Sequence, residues 1–205
     1  AVIPATPDLD PGYHTGLSLI SCYDVLAQHI LLMMATVEVD ITGGVGCRLS
    51  GHAARSGASS AILDPLSARI CLLETGYQKS MVVSLDLLEL SAQSVLQLRN
   101  AISPAVGIVA DHIIVTTTHT HTAPPTIDLG ALEMDTGYFE SVVRRVQEGV
   151  VDLGAKVVPV TMGTVKFSLP IGINRRVKDP VQGKVRMRPN PLGSRDDEIV
   201  ATVFS

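Results

Sequence analysis

The 205-residue chain reads as an α/β domain, a mixed β-sheet flanked by helices. Three features lead there. Short alternating or β-branched runs are interleaved with two stretches of helical periodicity, which an all-helical or all-β plan would not accommodate. Hydrophobic residues make up 46% of the chain and charged ones 18%, enough to bury a core and too apolar for disorder. No internal repeat and no low-complexity tract interrupts it.

The opening residues differ from the rest. Pro4, Pro7, Pro11, Gly12 and Gly16 precede an apolar run, and no Lys or Arg occurs before Arg48. A helix is predicted over residues 17–34, with Asp24, Gln28 and His29 interrupting its apolar face. Residues 36–41 alternate with period two and predict a strand, ended by Gly43, Gly44 and Gly46. A loop of small residues follows over 51–60. Residues 66–73 and 80–88 predict two strands of a hairpin, joined at 75–79.

A helix is expected over 91–103, with Val95, Leu98 and Ile102 on one face and Pro104 as its stop. The β-branched run 112–118 predicts a buried strand. Residues 136–154 predict a second helix, whose stripe is Phe139, Val142, Val143, Val146, Val150 and Leu153. Strands over 156–162 and 163–169, a Pro/Gly/basic loop over 170–195 and a strand over 198–205 complete the chain.

Composition excludes several roles. Sixteen basic against 20 acidic residues give a net charge of −4 without a basic block, which argues against nucleic acid. Stacking platforms for single strands need aromatic faces, and Trp is absent here. Cys22, Cys47 and Cys71 form no CxxC pair, so reduced core thiols are expected rather than a zinc knuckle or a disulfide framework. The apolar run from Ile30 to Ala35 is six residues, against about 20 for a membrane span. With no basic n-region, no signal peptide is expected in this chain.

The strongest chemical signal is Thr118-His119-Thr120-His121-Thr122-Ala123-Pro124-Pro125, where a buried strand runs out into a loop. Two histidines at i and i+2 of an extended chain project to one side, about 6–7 Å apart. Such a pair suits one metal ligand beside a proton donor or second ligand, and it equally suits two strand-end histidines capping loop carbonyls. Asp86 sits inside an apolar run, so its charge needs a partner unless it lies at the strand end or caps the next helix. Asp40 has the same two readings. Arg175, in Asn174-Arg175-Arg176, could grip an oxyanion or carboxylate, or be a solvated loop cation. His14, His29, His52 and His112 stand alone and are expected to be structural.

Taken in order, several blocks resemble the N-terminal domain of the neutral/alkaline, non-lysosomal ceramidase family. They are Val39-Asp40-Ile41-Thr42-Gly43, Gly51-His52 (where the family often has Gly-Tyr) and Asp64-Pro65-Leu66-Ser67-Ala68-Arg69. Val83-Ser84-Leu85-Asp86-Leu87 and the Thr118–Pro124 block follow, then Asn174-Arg175-Arg176 and Asp197-Glu198-Ile199-Val200. The resemblance covers residues 35–205. It implies a zinc-dependent amidohydrolase that cleaves the N-acyl bond of ceramide or a related lipid amide by metal-activated water. His119 would be a zinc ligand, His121 would assist proton transfer, Arg175 would line the pocket and Asp86 would support it.

The family's further zinc ligands, a second His, a Glu and a Tyr, are expected beyond Ser205. This chain is therefore expected to be part of the catalytic unit and inactive alone, with residues 1–34 a leader or accessory arm. A non-enzymatic, self-assembling subunit with the same fold is the alternative. Association with copies of itself or with a C-terminal portion is expected in either case. Family members are often exported, and the compartment stays open.

Overall fold

Alternation drives the first three strands. In the computed structural model, which describes residues 31–52 and 54–205, β1 (Leu32–Asp40), β2 (Ser67–Thr75) and β3 (Gln78–Leu85) form an antiparallel meander. The β2–β3 turn is two residues, Gly76 and Tyr77, with Gly76 at φ 57°, as a tight hairpin of matching twist requires. β4 (Ile113–Thr117) adds to β3 in parallel, and β5 (Val158–Val160) pairs with the start of β1. The five-stranded mixed sheet has the order β4-β3-β2-β1-β5.

The parallel step needs a crossover, supplied by α1 (Ala92–Val106). Ser91 caps it, its hydroxyl accepting from the Ser94 N–H at 3.0 Å. A second helix, α2 (Thr136–Val150), is capped by Asp135, which accepts from the Tyr138 N–H at 2.9 Å. One sheet face carries the buried Ala68, Ile70, Leu72, Met81, Val83, Leu85 and Ile113. Against it pack Leu98 and Ile102 of α1 and Phe139, Val142, Val146 and Val150 of α2. Each such fully buried side chain contributes about 1.5–3 kcal/mol of apolar transfer. The opposite face mixes apolar residues such as Leu73, Val82 and the exposed Ile114 with polar ones: Glu38 and Arg69, paired in register across β1 and β2, form an ion pair at 3.3 Å.

The remaining strands form two ribbons separate from this sheet. β6 (Met162–Ser168) pairs antiparallel with β9 (Glu198–Phe204), and β7 (Arg176–Lys178) with β8 (Val185–Met187). Among the described residues, no helix is long and apolar enough to cross a membrane.

Several expectations are corrected. The helix expected over 17–34 lies largely outside the described residues, but Leu32, Met33 and Met34 belong to β1 and pair with both β2 and β5. Local periodicity could not reveal two strand partners so far along the chain. Pro104 does not stop α1: the helix runs two residues past it, to Val106. The stop is Gly107, left-handed at φ 63°, whose N–H bonds the Ser103 carbonyl. α2 ends at Val150, and a 3₁₀ turn, Leu153–Lys156, begins after the left-handed Asp152. The loop expected over 170–195 contains the β7–β8 hairpin.

Candidate active site

The Thr-His-Thr-His block begins where β4 ends at Thr117. The Thr118 N–H still bonds the Leu85 carbonyl at 2.9 Å, after which the chain leaves the sheet. His119 is left-handed, at φ 60°, so the pair is not presented on an extended strand as its spacing suggested. The turn nonetheless brings the two rings together, with centroids 5.1 Å apart and planes at 75°. The His119 Nδ1 lies 3.0 Å from the Leu88 carbonyl. A carbonyl can only accept, so Nδ1 carries the proton and Nε2 is left as an acceptor.

A third imidazole joins them. His52 packs edge-on against His121 at 4.8 Å between centroids, in place of the isolated structural role expected of it. Its loop is held to the histidine block by two devices. The Ser50 N–H and hydroxyl both bond the Ala123 carbonyl, at 2.9 and 3.0 Å. Arg55 donates from one terminal nitrogen to the Ser50 carbonyl at 3.1 Å and to the His121 carbonyl at 3.0 Å. The Gly51-His52 pair was visible in the sequence, but nothing local to it indicated a neighbour some 70 residues away.

These side chains line a cavity of about 660 Å³. Arg48, Arg55, His52, His119 and His121 contribute its nitrogen groups, and Leu49, Leu88, Leu129 and Leu132 its apolar wall. A volume of this size suits a small organic ligand. The small-residue loop around Ser56, Gly57 and Ala58 separates it from a second cavity of about 640 Å³ beside Thr122 and Pro124.

Asp86 and Arg175 do not line the histidine cavity. The Asp86 carboxylate turns to β2, accepting from the Ser67 N–H at 3.0 Å and from Arg69 at 3.1 Å. Arg175 lies in the β7–β8 region, in a separate cavity of about 390 Å³ with Arg176 and Arg186. Asn174 is a turn residue, its Oδ1 accepting from the Arg176 N–H at 2.9 Å. Asp40 ends β1, and hydrogen bonds from the Thr42 side chain and backbone hold its carboxyl below the usual range. His112 ties the Lys79 carbonyl at 3.1 Å. Cys47 and Cys71 are free thiols, and burial pushes the Cys71 thiol up; Cys22, His14 and His29 lie outside the described residues.

As a test of fit for zinc, His119 has the right donor chemistry: a neutral imidazole whose other nitrogen is oriented by a backbone carbonyl. Among the described residues, no group of three or more His, Cys, Asp or Glu is disposed to hold a metal ion. The described residues therefore offer zinc one oriented imidazole and no complete ligand set.

No protein-family model matches the chain, and no curated protein sequence matches it either. Solved structures do. Neutral ceramidase from Pseudomonas aeruginosa superposes with a TM-score of 0.67 at 16% identity, over 85% of this chain and 29% of the ceramidase. A ceramidase complexed with C2 superposes with a TM-score of 0.68, at the same identity and coverage. The chain thus spans about 29% of the length of the structures it matches, and what it shares with that part of them is the fold.

Proposed function

We propose that the histidine cavity belongs to a zinc-dependent hydrolase that cleaves the N-acyl bond of a lipid amide such as ceramide, and that this chain supplies part of the catalytic unit. The observation that carries this reading is the His119 ring, whose Nδ1–H is engaged by the Leu88 carbonyl so that Nε2 remains a ligand atom. The ceramidase-like fold supports it.

Amide hydrolysis adds water across the C–N bond: the hydroxyl goes to the acyl carbon and a proton to the leaving nitrogen. Zinc at His119, when bound, supplies Lewis acidity toward the carbonyl and eases deprotonation of water. His121, in ring contact with His119, is the residue placed to move the proton. Arg55 fixes the His121 backbone, and the leucine wall gives an acyl chain an apolar bed. Asp86 lies outside this cavity, anchoring the start of β2, and Arg175 lies in the β7–β8 region.

Elemental analysis tests the reading. A longer form carrying the further ligands should take up zinc through His119, and His119→Ala should lose most of it; this chain alone should bind zinc weakly. His121→Ala should retain zinc and, in the longer form, lose rate by about 10²-fold or more. Undiminished zinc in His119→Ala would overturn the assignment.

A further inference from the structure

The charge of the cavity is at odds with a neutral substrate. Among the described residues, Arg48 and Arg55 line it, and no Asp or Glu does. Neither arginine takes part in an ion pair among the described residues. Arg55 meets the Ser50 and His121 carbonyls, which are neutral acceptors and leave its guanidinium charge uncompensated. The chain as a whole is acidic, at −4, so this positive lining is a local feature and not an overflow of general basicity. Glu89, Asp128 and Glu133 adjoin lining residues in sequence but do not line the cavity themselves.

Guanidinium groups without a counter-charge, Arg55 half-buried and Arg48 exposed, attract an anion, and carboxylates are among the anions that match their donor geometry. The other wall is apolar, formed by Leu49, Leu88, Leu129 and Leu132. A ligand that satisfies both has an apolar chain and an anionic head, with the scissile amide between them near the histidines. We propose that this cavity selects N-acyl amino acids, amides whose amine portion bears a carboxylate, over neutral N-acyl amino alcohols. The position of the amide rests on the hydrolase reading above; the preference for an anionic head rests on the arginines alone.

Calorimetric titration of the chain with N-octanoylglycine, N-octanoylethanolamine and octanoate separates the possibilities. N-octanoylglycine should bind at least about 10-fold more tightly than N-octanoylethanolamine, and the difference should shrink as salt screens the charge. Arg48→Ala should remove most of that difference, and Arg48→Lys should retain part of it. Arg48 is exposed and, among the described residues, makes no hydrogen bond or ion pair to lose on substitution, so its variants should fold; a circular dichroism melt confirms this. Equal affinity for the two amides, no measurable binding of either at millimolar concentration, or a difference that survives Arg48→Ala would overturn the proposal. Octanoate binding as tightly as N-octanoylglycine would also overturn it, in favour of a fatty-acid site. The same titration on His119→Ala keeps the two readings apart. Anion preference there, with undiminished zinc in His119→Ala of the longer form, would leave this inference standing while the hydrolase reading falls.

Discussion

The backbone of Gly51 passes so close to the His121 ring that a Cβ built on Gly51 would lie 2.7 Å from the His121 Cβ and 2.8 Å from its Nδ1. Gly51 is also at φ 95°, a conformation that residues with a side chain rarely adopt. Glycine here is what allows the His52 loop to close on the histidine block. Gly51→Ala should therefore displace the His121 ring and cost about 1–3 kcal/mol through backbone strain alone. Chemical shifts of the His121 ring protons and a thermal melt check this; unchanged shifts and an unchanged melting temperature would refute it.

Asp86 separates the effect of hydrogen bonding from that of charge. Its carboxylate is the acceptor for the Ser67 N–H at the start of β2, while Arg69, its ionic partner, is more than half exposed. Exposed ion pairs contribute little, whereas an orphaned backbone donor is costly. Asp86→Ala should destabilise the fold by about 1–3 kcal/mol, and Asp86→Asn, which keeps an acceptor oxygen, by clearly less. Equal losses in urea denaturation would mean that the charge matters more than the acceptor.

Tyr138 sets an alkaline limit. Its hydroxyl donates to the Ile41 carbonyl at 2.8 Å, and burial, the largest influence, pushes the phenol above its ordinary value. A raised folded value means that the neutral form is favoured in the native state. The associated stability is present below about pH 10, where the unfolded phenol begins to ionise, and is lost as pH rises toward the folded value. Tyr138→Phe should lose about 1 kcal/mol at pH 7, because the Ile41 carbonyl loses its donor. Its stability should then fall less steeply than that of the unmutated chain above pH 10. Parallel pH profiles would contradict this.

The β6–β9 ribbon presents one wholly apolar face. The register places Val165 opposite Ala201 and Phe167 opposite Ile199, with Val203 on the same side, and Val165, Phe167 and Val203 are exposed. Uncovered apolar faces and open strand edges recruit other chains. Light scattering on the 205-residue chain at micromolar concentration should show species heavier than 21.7 kDa. The double substitution Val165→Lys/Phe167→Asp should shift the population toward the monomer. A monodisperse monomer before substitution would show that this face needs no partner.

The mixed α/β architecture, the β2–β3 hairpin, both helices and the strand leading to the histidines were legible from periodicity, because each pattern records which side of its own element faces the core. Pro104 misled because the helix continues past it to Val106 and is ended by the left-handed Gly107. The strand character of Leu32–Met34 was hidden for another reason: its partners, Thr75 to Leu73 and Val160 to Val158, are supplied by distant segments.

For the site, the sequence by itself determined that His119 and His121 lie close along the chain; the left-handed turn at His119 is what the structure adds to their ring contact. The sequence could not place His52 against them, turn Asp86 toward Ser67, or leave Arg175 in a separate cavity. Asp86 follows the β2–β3 register and Arg175 the β7–β8 ribbon, while the His52 contact depends on how the loop after β1 folds back on the end of β4. That closure is decided by long-range hydrogen bonds, Ser50 to Ala123 and Arg55 to His121, and by the absence of a side chain at Gly51. Short-range patterning reports burial within an element; contacts between loops far apart in the chain exist only once the sheet has brought their ends together.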